Sequence, residues 1–296
     1  MTQAASSASS HNRLAMAALI IGGAAIGGSP IFVRLSEVGP MATAFWRVAL
    51  ALIPLVAWSQ LRNGSAADRP PERLADYVAL VLPGLFLAID LGAWHLSLTM
   101  TSVANATLLA NLAPVFVTLA GWLLFRSAVS GIFVAGLATA VAGVVVLKGG
   151  PAALDGGDLA GDGIAVVAAM FYAGYILAIG RLRSRFSTNR IMIWSTASAA
   201  LCMLPMALLT EQSLFPPSGF GWAMLFGLAF VSHAGGQVAI TYALAYLPPA
   251  FSSLTLLLQP VVAAVLAWIL LSEPVGLMQA IGGAIVLTGI LIARRG

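Results

Sequence analysis

Polar side chains inside long apolar segments are the residues of this chain that could do chemistry. Asp90 and Trp94 stand four residues apart in GLFLAIDLGAW, which places them on one helix face with His95 on its flank. His233 and Gln237, also four residues apart, begin a second polar stripe in the other half of the chain. Polar groups in such surroundings are costly and usually face a cavity or a partner helix. Each of them therefore predicts either a ligand contact or a structural hydrogen bond.

The two interpretations stay open for each residue. Asp90 either bonds to a neighbouring polar group, or contacts a ligand or a coupling proton. His95 is expected to be a hydrogen-bonded buried histidine, with a ligand contact as the alternative, whereas we expect the stripe at His233 to line water. With the amides and aromatic rings considered below, the candidate ligand-binding residues are Asp90, Trp94, His95, Asn111, Tyr172, Tyr175, His233, Gln237 and Gln259.

Two prolines occupy corresponding places in two apolar segments, shortly after Asn111 in one and directly after Gln259 in the other. A proline removes one backbone donor and frees a carbonyl about four residues earlier. The two amides could satisfy the freed carbonyls or could face a cavity. A pair of glycines inside the polar stripe is a further weak point. The predicted hinges or helix breaks are therefore Pro114, Pro260, Gly235 and Gly236.

An arginine lies well inside the second apolar segment. Arg47 stands about two turns from the segment's end, next to Trp46. We expect its long side chain to reach the membrane surface or to pair with an acidic group. Contact with a carboxylate ligand is the alternative.

The composition places these residues in a membrane protein. Hydrophobic residues make up 60% of the chain and charged residues 8%, and the mean hydropathy is +0.98, which excludes an ordinary soluble domain. A membrane-spanning helix needs about 20 apolar residues. We predict an all-α integral membrane protein with ten transmembrane helices at about 14–34, 41–61, 76–98, 102–124, 129–148, 161–181, 190–210, 219–245, 250–271 and 276–293.

The second half of the chain repeats the first. A shift of 146 residues superposes Leu108 on Leu254, Pro114 on Pro260, Trp122 on Trp268, Gly136 on Gly282 and Gly143 on Gly289. Residues 14–150 and 151–296 are therefore predicted as two five-helix repeats, after a disordered tail at 1–13. Because five is odd, the second repeat must enter the membrane inverted. Inverted repeats of this kind build secondary transporters, with a central site where the halves meet.

The basic residues predict the orientation. Eleven arginines fall in one set of connections: Arg13, Arg62, Arg69, Arg73, Arg126, Arg181, Arg183, Arg185, Arg190, Arg294 and Arg295. The opposite set holds only Arg34 and Lys148, with acidic residues that include Asp155 and Glu273. Positive charge accumulates on the cytoplasmic side. We expect both termini in the cytoplasm, and no nucleic-acid partner, because the charges are dispersed.

Metal and catalytic motifs are not found in this sequence. With three histidines and one cysteine, few metal ligands are available, and we expect no metal and no cofactor. Neither H-E-x-x-H nor G-x-S-x-G occurs. A membrane-embedded enzyme that uses Asp90 with His95 or His233 is the alternative of a different class.

The duplicated segments NLAPVFVTLAGWLLF and LQPVVAAVLAWILLSEP, with Arg34 and Arg181 after the first helix of each half, resemble the EamA family of the drug/metabolite transporter superfamily. Residues 126–128 (RSA) depart from the pattern of 272–274 (SEP). Within the family the chain is most similar to aromatic amino-acid exporters of the YddG type. The resemblance implies a ten-helix basket, with a central cavity formed by helices 1, 3, 4, 6, 8 and 9.

The resemblance also implies a function. We expect a secondary transporter of a bacterial inner membrane that exports amino acids, preferably aromatic ones and related metabolites, by alternating access. Another small metabolite or a drug is the alternative substrate. The expected partners are that small molecule and the lipid bilayer.

Overall fold

The computed structural model describes residues 2–61, 70–101, 103–150, 158–272 and 276–296. Four residues of the charge comparison, Arg62, Arg69, Asp155 and Glu273, lie outside these ranges. The helices within them are α1 Thr2–Gly27, α2 Ser29–Arg34, α3 Pro40–Leu61, α4 Leu74–Met100, α5 Val103–Ala110, α6 Ala113–Phe125, α7 Gly131–Leu147, α8 Leu159–Leu182, α9 Thr188–Thr210, α10 Gly219–Gly227, a π-helix Leu228–Gln237, α11 Val238–Ala243, α12 Pro249–Thr255, α13 Leu258–Leu271 and α14 Leu277–Ala293.

Within the described residues, eight helical segments are long and apolar enough to cross a membrane: His11–Arg34, Pro40–Leu61, Leu74–Ser97, Ala106–Phe125, Leu159–Leu182, Thr188–Thr210, Gly219–Ala243 and Pro249–Leu270. Two further apolar helices, α7 and α14, have 17 residues each. At 1.5 Å per residue each is about 26 Å long, slightly less than a hydrocarbon core of about 30 Å. All ten predicted stretches coincide with helical segments, and ten full crossings stay a prediction.

The first helix begins at Thr2, within the residues for which the sequence predicts a disordered tail. Alanine is the strongest helix former, and neither glycine nor proline occurs before the apolar part of α1. The polar N-terminal residues therefore continue the helix of the apolar segment that follows them.

The helices α7 and α14, which correspond to each other in the repeat, pack together in antiparallel directions. Gly143 lies against Val286, and Gly282 lies against Leu147. A Cβ atom at Gly143 would come within 2.5 Å of the Val286 backbone nitrogen, so only glycine permits this approach. Corresponding helices of opposite direction agree with an inverted second half.

Three apolar helices are interrupted, each close to a proline. The α1/α2 break lies at Gly28, next to Pro30, and the α5/α6 break at residues 111–112, before Pro114. The α12/α13 break lies at residues 256–257, before Pro260. Proline fits the first turn of a helix, which agrees with a restart at each of these places. Proline alone does not cause the breaks, because Pro54, Pro83 and Pro205 lie inside the uninterrupted helices α3, α4 and α9.

The glycine pair Gly235 and Gly236 lies inside the π-helix, which continues into α11 without a break. The predicted weak point is thus a widened helix. Gly236 also has a packing role, because its own Cβ would lie 2.7 Å from Ile26 and a Cβ at Gly22 would lie 2.7 Å from the Gly236 carbonyl. The small residues let α1 and the π-helix approach closely.

Candidate functional site

A cavity of about 210 Å³ lies where the three interrupted helices meet α3, α4, α8 and the π-helix. Each break contributes residues of its own: Ile26, Gly27, Ser29 and Pro30 from the first, Thr107, Ala110, Asn111, Ala113 and Pro114 from the second, and Ser253, Leu256, Leu257, Gln259 and Pro260 from the third. Interrupted backbone at membrane depth is tolerated where it lines a cavity or is buried in protein. The breaks therefore position the site.

Six of the nine candidate ligand-binding residues line this cavity: Asp90, Trp94, Asn111, Tyr172, Gln237 and Gln259. Pro114 and Pro260 line it as well. The other three, His95, Tyr175 and His233, are buried behind it, and Gly235 and Gly236 are not among the residues that line it.

His95 supports the cavity wall from behind. Its Nδ1 donates a hydrogen bond to the Leu91 carbonyl at 2.7 Å, one turn earlier in α4. Its ring meets the Trp94 ring edge-to-face, with 4.9 Å between centroids. The histidine therefore fixes the orientation of an aromatic side chain that does face the cavity.

The polar stripe of the second half is divided between the cavity and the helix packing. Gln237 reaches the cavity, whereas His233 Nε2 is hydrogen-bonded to Thr196 Oγ1 on α9 at 3.0 Å. The hydroxyl of Thr241 donates to the Met192 sulfur at 3.1 Å. The sequence interpretation assumed α-helical spacing, but a π-helix places a different set of side chains on one face.

Tyr172 is the common neighbour of the polar groups in the cavity. Its hydroxyl lies beside the side chains of Gln237 and Gln259, and its position brings it into electrostatic interaction with Arg47 and Asp90. Its ring stacks on that of Tyr175, with 5.8 Å between centroids. One phenol therefore connects residues from α3, α4, α8, the π-helix and α13.

Five polar cavity residues are not among the candidate ligand-binding residues of the sequence analysis: Ser29, Arg47, Thr107, Lys148 and Ser253. Arg47 lies at the cavity, although we expected it to reach the membrane surface or to pair with an acid. Lys148 is the C-cap that follows α7, close to the end of the fifth predicted helix at 129–148. The available signals were an arginine two turns inside a span and a serine directly before a proline.

Several polar atoms at the cavity have no protein partner. Within the described ranges, Ser29 Oγ, Arg47 Nε, Gln237 Oε1 and Gln259 Nε2 are buried without a hydrogen bond. Buried polar atoms of folded proteins are nearly always hydrogen-bonded, so each such group needs an explanation. A polar ligand or water in the cavity would supply the partners.

The cavity can hold a small molecule that has both an apolar and a polar part. Trp94 and Tyr172 offer ring faces, and Leu87 and Leu91 offer aliphatic surface. The charged and amide side chains offer hydrogen bonds. No group of three His, Cys, Asp or Glu side chains that could hold a metal occurs in the part of the chain that the structure describes.

A second cavity of about 620 Å³ follows several of the same helices further along. On α6, Pro114 lines the first cavity, and Val117 and Thr118, less than two turns away, line the second. On α8 Tyr172 lines the first and Leu177 lines the second. The fully buried Ile176 stands between those two residues in the chain.

The fold and the cavity define a multi-pass membrane protein with a polar centre enclosed by broken helices. The sequence model of the EamA-like transporter family matches the chain twice, at residues 13–148 and 159–295. The chain therefore belongs to the EamA-like transporter family, and the two matches divide it close to the boundary between the predicted repeats.

Individual proteins support the same assignment. An uncharacterized transporter of Archaeoglobus fulgidus is 28% identical over 272 residues, which cover 90% of this chain and 92% of that protein. A second uncharacterized transporter of that organism is 25% identical over 285 residues, covering 96% of this chain and 97% of the other. A crystal structure of a protein with 21% identity has a TM-score of 0.77 and covers 96% of this chain and 97% of its own. That likeness concerns the fold alone.

Proposed function

We propose that this transporter moves amino acids, preferably aromatic ones, out of the cytoplasm by alternating access. The substrate occupies the central cavity, with its ring beside Trp94 and Tyr172 and its polar end among the buried groups that lack partners. The two repeats form ten membrane crossings, and both termini face the cytoplasm of a bacterial inner membrane.

The observation that carries this proposal is the chemistry at the three helix breaks. Discontinuous helices at a repeat interface are typical of the substrate sites of secondary transporters. In this chain the breaks surround a cavity that contains aromatic rings, both signs of charge and unsatisfied amides. A flat ring that carries an amino and a carboxylate group matches all of these features.

The two cavities support alternating access. They lie at successive levels of shared helices, and the buried side chain of Ile176 lies between the levels on α8. Movement at the breaks near Pro114 and Pro260 would open one level while closing the other. The glycines and prolines then act as hinges.

Transport of labelled tryptophan or phenylalanine into proteoliposomes that contain the purified protein tests the proposal. We expect saturable flux, and counterflow when the vesicles are preloaded with unlabelled substrate. Flux no greater than that of empty vesicles would sink the proposal. Flux without saturation or counterflow would indicate a channel, and recovery of a chemically altered substrate would indicate an enzyme.

A further inference from the structure

The charged side chains at the central cavity are unbalanced in favour of the positive sign. Arg47 and Lys148 line the cavity, and Asp90 is the one acidic residue among the described residues that line it. Among the described residues neither cation forms a salt bridge. Arg47 and Asp90 interact electrostatically without direct contact, so both keep hydrogen-bonding capacity for a third group.

The unsatisfied atoms at the cavity are mostly donors. Ser29 Oγ, Arg47 Nε and Gln259 Nε2 can each donate a hydrogen bond, whereas Gln237 Oε1 can only accept one. Ser29 is 6% exposed and Gln237 is 2% exposed, so bulk water does not satisfy them. A ligand that is rich in acceptors would therefore satisfy these three buried donors.

The helix breaks bring backbone ends of both signs to the cavity, because α1, α5 and α12 end there and α6 and α13 begin there. The helices α6 and α13, of 13 and 14 residues, both begin at the cavity, with Pro114 and Pro260 in their first turns. A helix N-terminus carries a partial positive charge and favours anions. The α13 start lies directly against α1, because a Cβ at Gly27 would come within 2.8 Å of the Gln259 carbonyl. This close packing brings Ser29 and Gln259 towards the same part of the cavity.

From these three observations we infer that the cavity recognises its ligand mainly through a carboxylate. Arg47 and Lys148 supply the charge, and Ser29 and Gln259 donate further hydrogen bonds to the carboxylate oxygens. Asp90 accepts the ammonium group of an amino acid and has a secondary role. The inference rests on the proposed function for the ring, the size and the carboxylate of the ligand, whereas the preference for an anionic group rich in acceptors follows from the cavity.

This assignment makes a specific demand on the ligand. Removal of the carboxylate leaves the two cations and two further donors, Ser29 and Gln259, without partners. Removal of the ammonium group leaves only the carboxylate of Asp90, which already interacts with Arg47. The penalty for an unpaired buried charge exceeds the gain from pairing it. An acid that lacks the amine should therefore bind better than the amine that lacks the acid.

Three indole compounds separate the two ends of the ligand. The protein, purified in detergent, is heated with tryptophan, indole-3-propionate, which lacks the amine, or tryptamine, which lacks the carboxylate. We expect the first two to raise the apparent melting temperature and tryptamine to leave it unchanged. Tryptamine should also be at least about tenfold weaker than indole-3-propionate as an inhibitor of tryptophan flux.

Variants connect the preference to the residues. Arg47→Gln and Lys148→Gln should each raise the KM for tryptophan about 10- to 100-fold, because each removes a charged hydrogen-bond partner. Arg47→Lys should restore part of the loss. Arg295→Gln removes an exposed arginine away from the cavity and serves as the matched control. Gel filtration shows which variants are folded, and the ligand series on the unchanged protein does not depend on them.

The outcomes of the inference and of the proposed function differ. Stabilisation by tryptamine equal to that by indole-3-propionate, or by neither compound, overturns the carboxylate assignment. The assignment is also overturned if the Arg47→Gln and Lys148→Gln variants are both folded and have KM values within twofold of that of the unchanged protein. Stabilisation by the acid without any saturable tryptophan flux supports the carboxylate site and refutes the proposed substrate.

Discussion

The α7–α14 interface and the central cavity both lie where the two repeats meet, and their chemistry is opposite. At the interface, glycines of both repeats bring the helix backbones together, as Gly143 does at Val286 and Gly282 at Leu147. At the cavity, three helices are interrupted, and buried polar atoms lack protein partners among the described residues. The backbones of α7 and α14 are in close contact in the first region, whereas the second region contains a cavity.

The two regions also differ in how often the same residue occurs at corresponding positions of the two halves of the chain. Glycine stands at corresponding positions of α7 and α14. At the cavity the corresponding prolines Pro114 and Pro260 are kept, but three other pairs of corresponding positions differ: Leu91 and Gln237, Asn111 and Leu257, Ala113 and Gln259. Corresponding positions of the two halves therefore line the cavity, but their different side chains make the two sides of the cavity chemically unequal.

The largest effect is expected where the interface is closed by glycine. Gly143→Val would place a branched side chain against the backbone of Val286, where even a Cβ atom comes within 2.5 Å. Overpacking of this kind costs about 3 kcal/mol at the upper end of its usual range. We expect a strongly lowered apparent melting temperature in detergent and little folded protein in the membrane.

The control for this change is Gly163→Ala on α8, because no atom lies within 4 Å of a Cβ at Gly163. Alanine there should leave stability unchanged or raise it by up to about 1 kcal/mol. A Gly143→Val protein as stable as the control would show that the close contact of α7 and α14 does not hold the repeats together.

Sequence analysis could predict the elements because their signals are local. Apolar length marks a helix. Proline marks an interruption only at some positions, since Pro54, Pro83 and Pro205 lie inside continuous helices. The register of α7 on α14 follows from glycines that also match in the repeat. The polar residues before the first apolar segment predict a disordered tail at 1–13, but α1 begins at Thr2, in agreement with the strong helix-forming tendency of alanine.

The site was predictable only in part, because the direction of a side chain depends on neighbouring helices. The spacing of Asp90 and Trp94 was sufficient, since α4 is a regular helix there. His233 lies behind the cavity, hydrogen-bonded to Thr196, and its contact with a ligand stays a prediction. Lys148 reaches the cavity from the end of a helix, which only the packing of α7 determines.

A medium effect, on the KM for the substrate, is expected from Tyr172, which lines the central cavity. Tyr172→Phe removes the hydroxyl that lies beside Gln237 and Gln259 and leaves the ring in place. The loss of one neutral hydrogen bond should raise the KM for tryptophan about 3- to 10-fold, with little change in stability. Uptake at several substrate concentrations measures it.

Tyr175 provides the matched control on the same helix. Its hydroxyl is buried without a hydrogen-bond partner among the described residues, and its side chain does not line the cavity. Tyr175→Phe should therefore leave KM unchanged and leave stability equal or slightly higher. If the two variants behave alike, Tyr172 is not the centre of the polar network.

The smallest effect is expected behind the cavity, at the hydrogen bond between Thr196 and His233. Thr196→Val removes the hydroxyl and leaves the buried imidazole without its 3.0 Å partner, which should cost about 1 kcal/mol of stability. Since neither residue lines the cavity, the KM for tryptophan should stay the same, and Thr196→Ser should restore the melting temperature. A raised KM at unchanged stability would show instead that the side chain of His233 contributes to ligand binding and not only to helix packing.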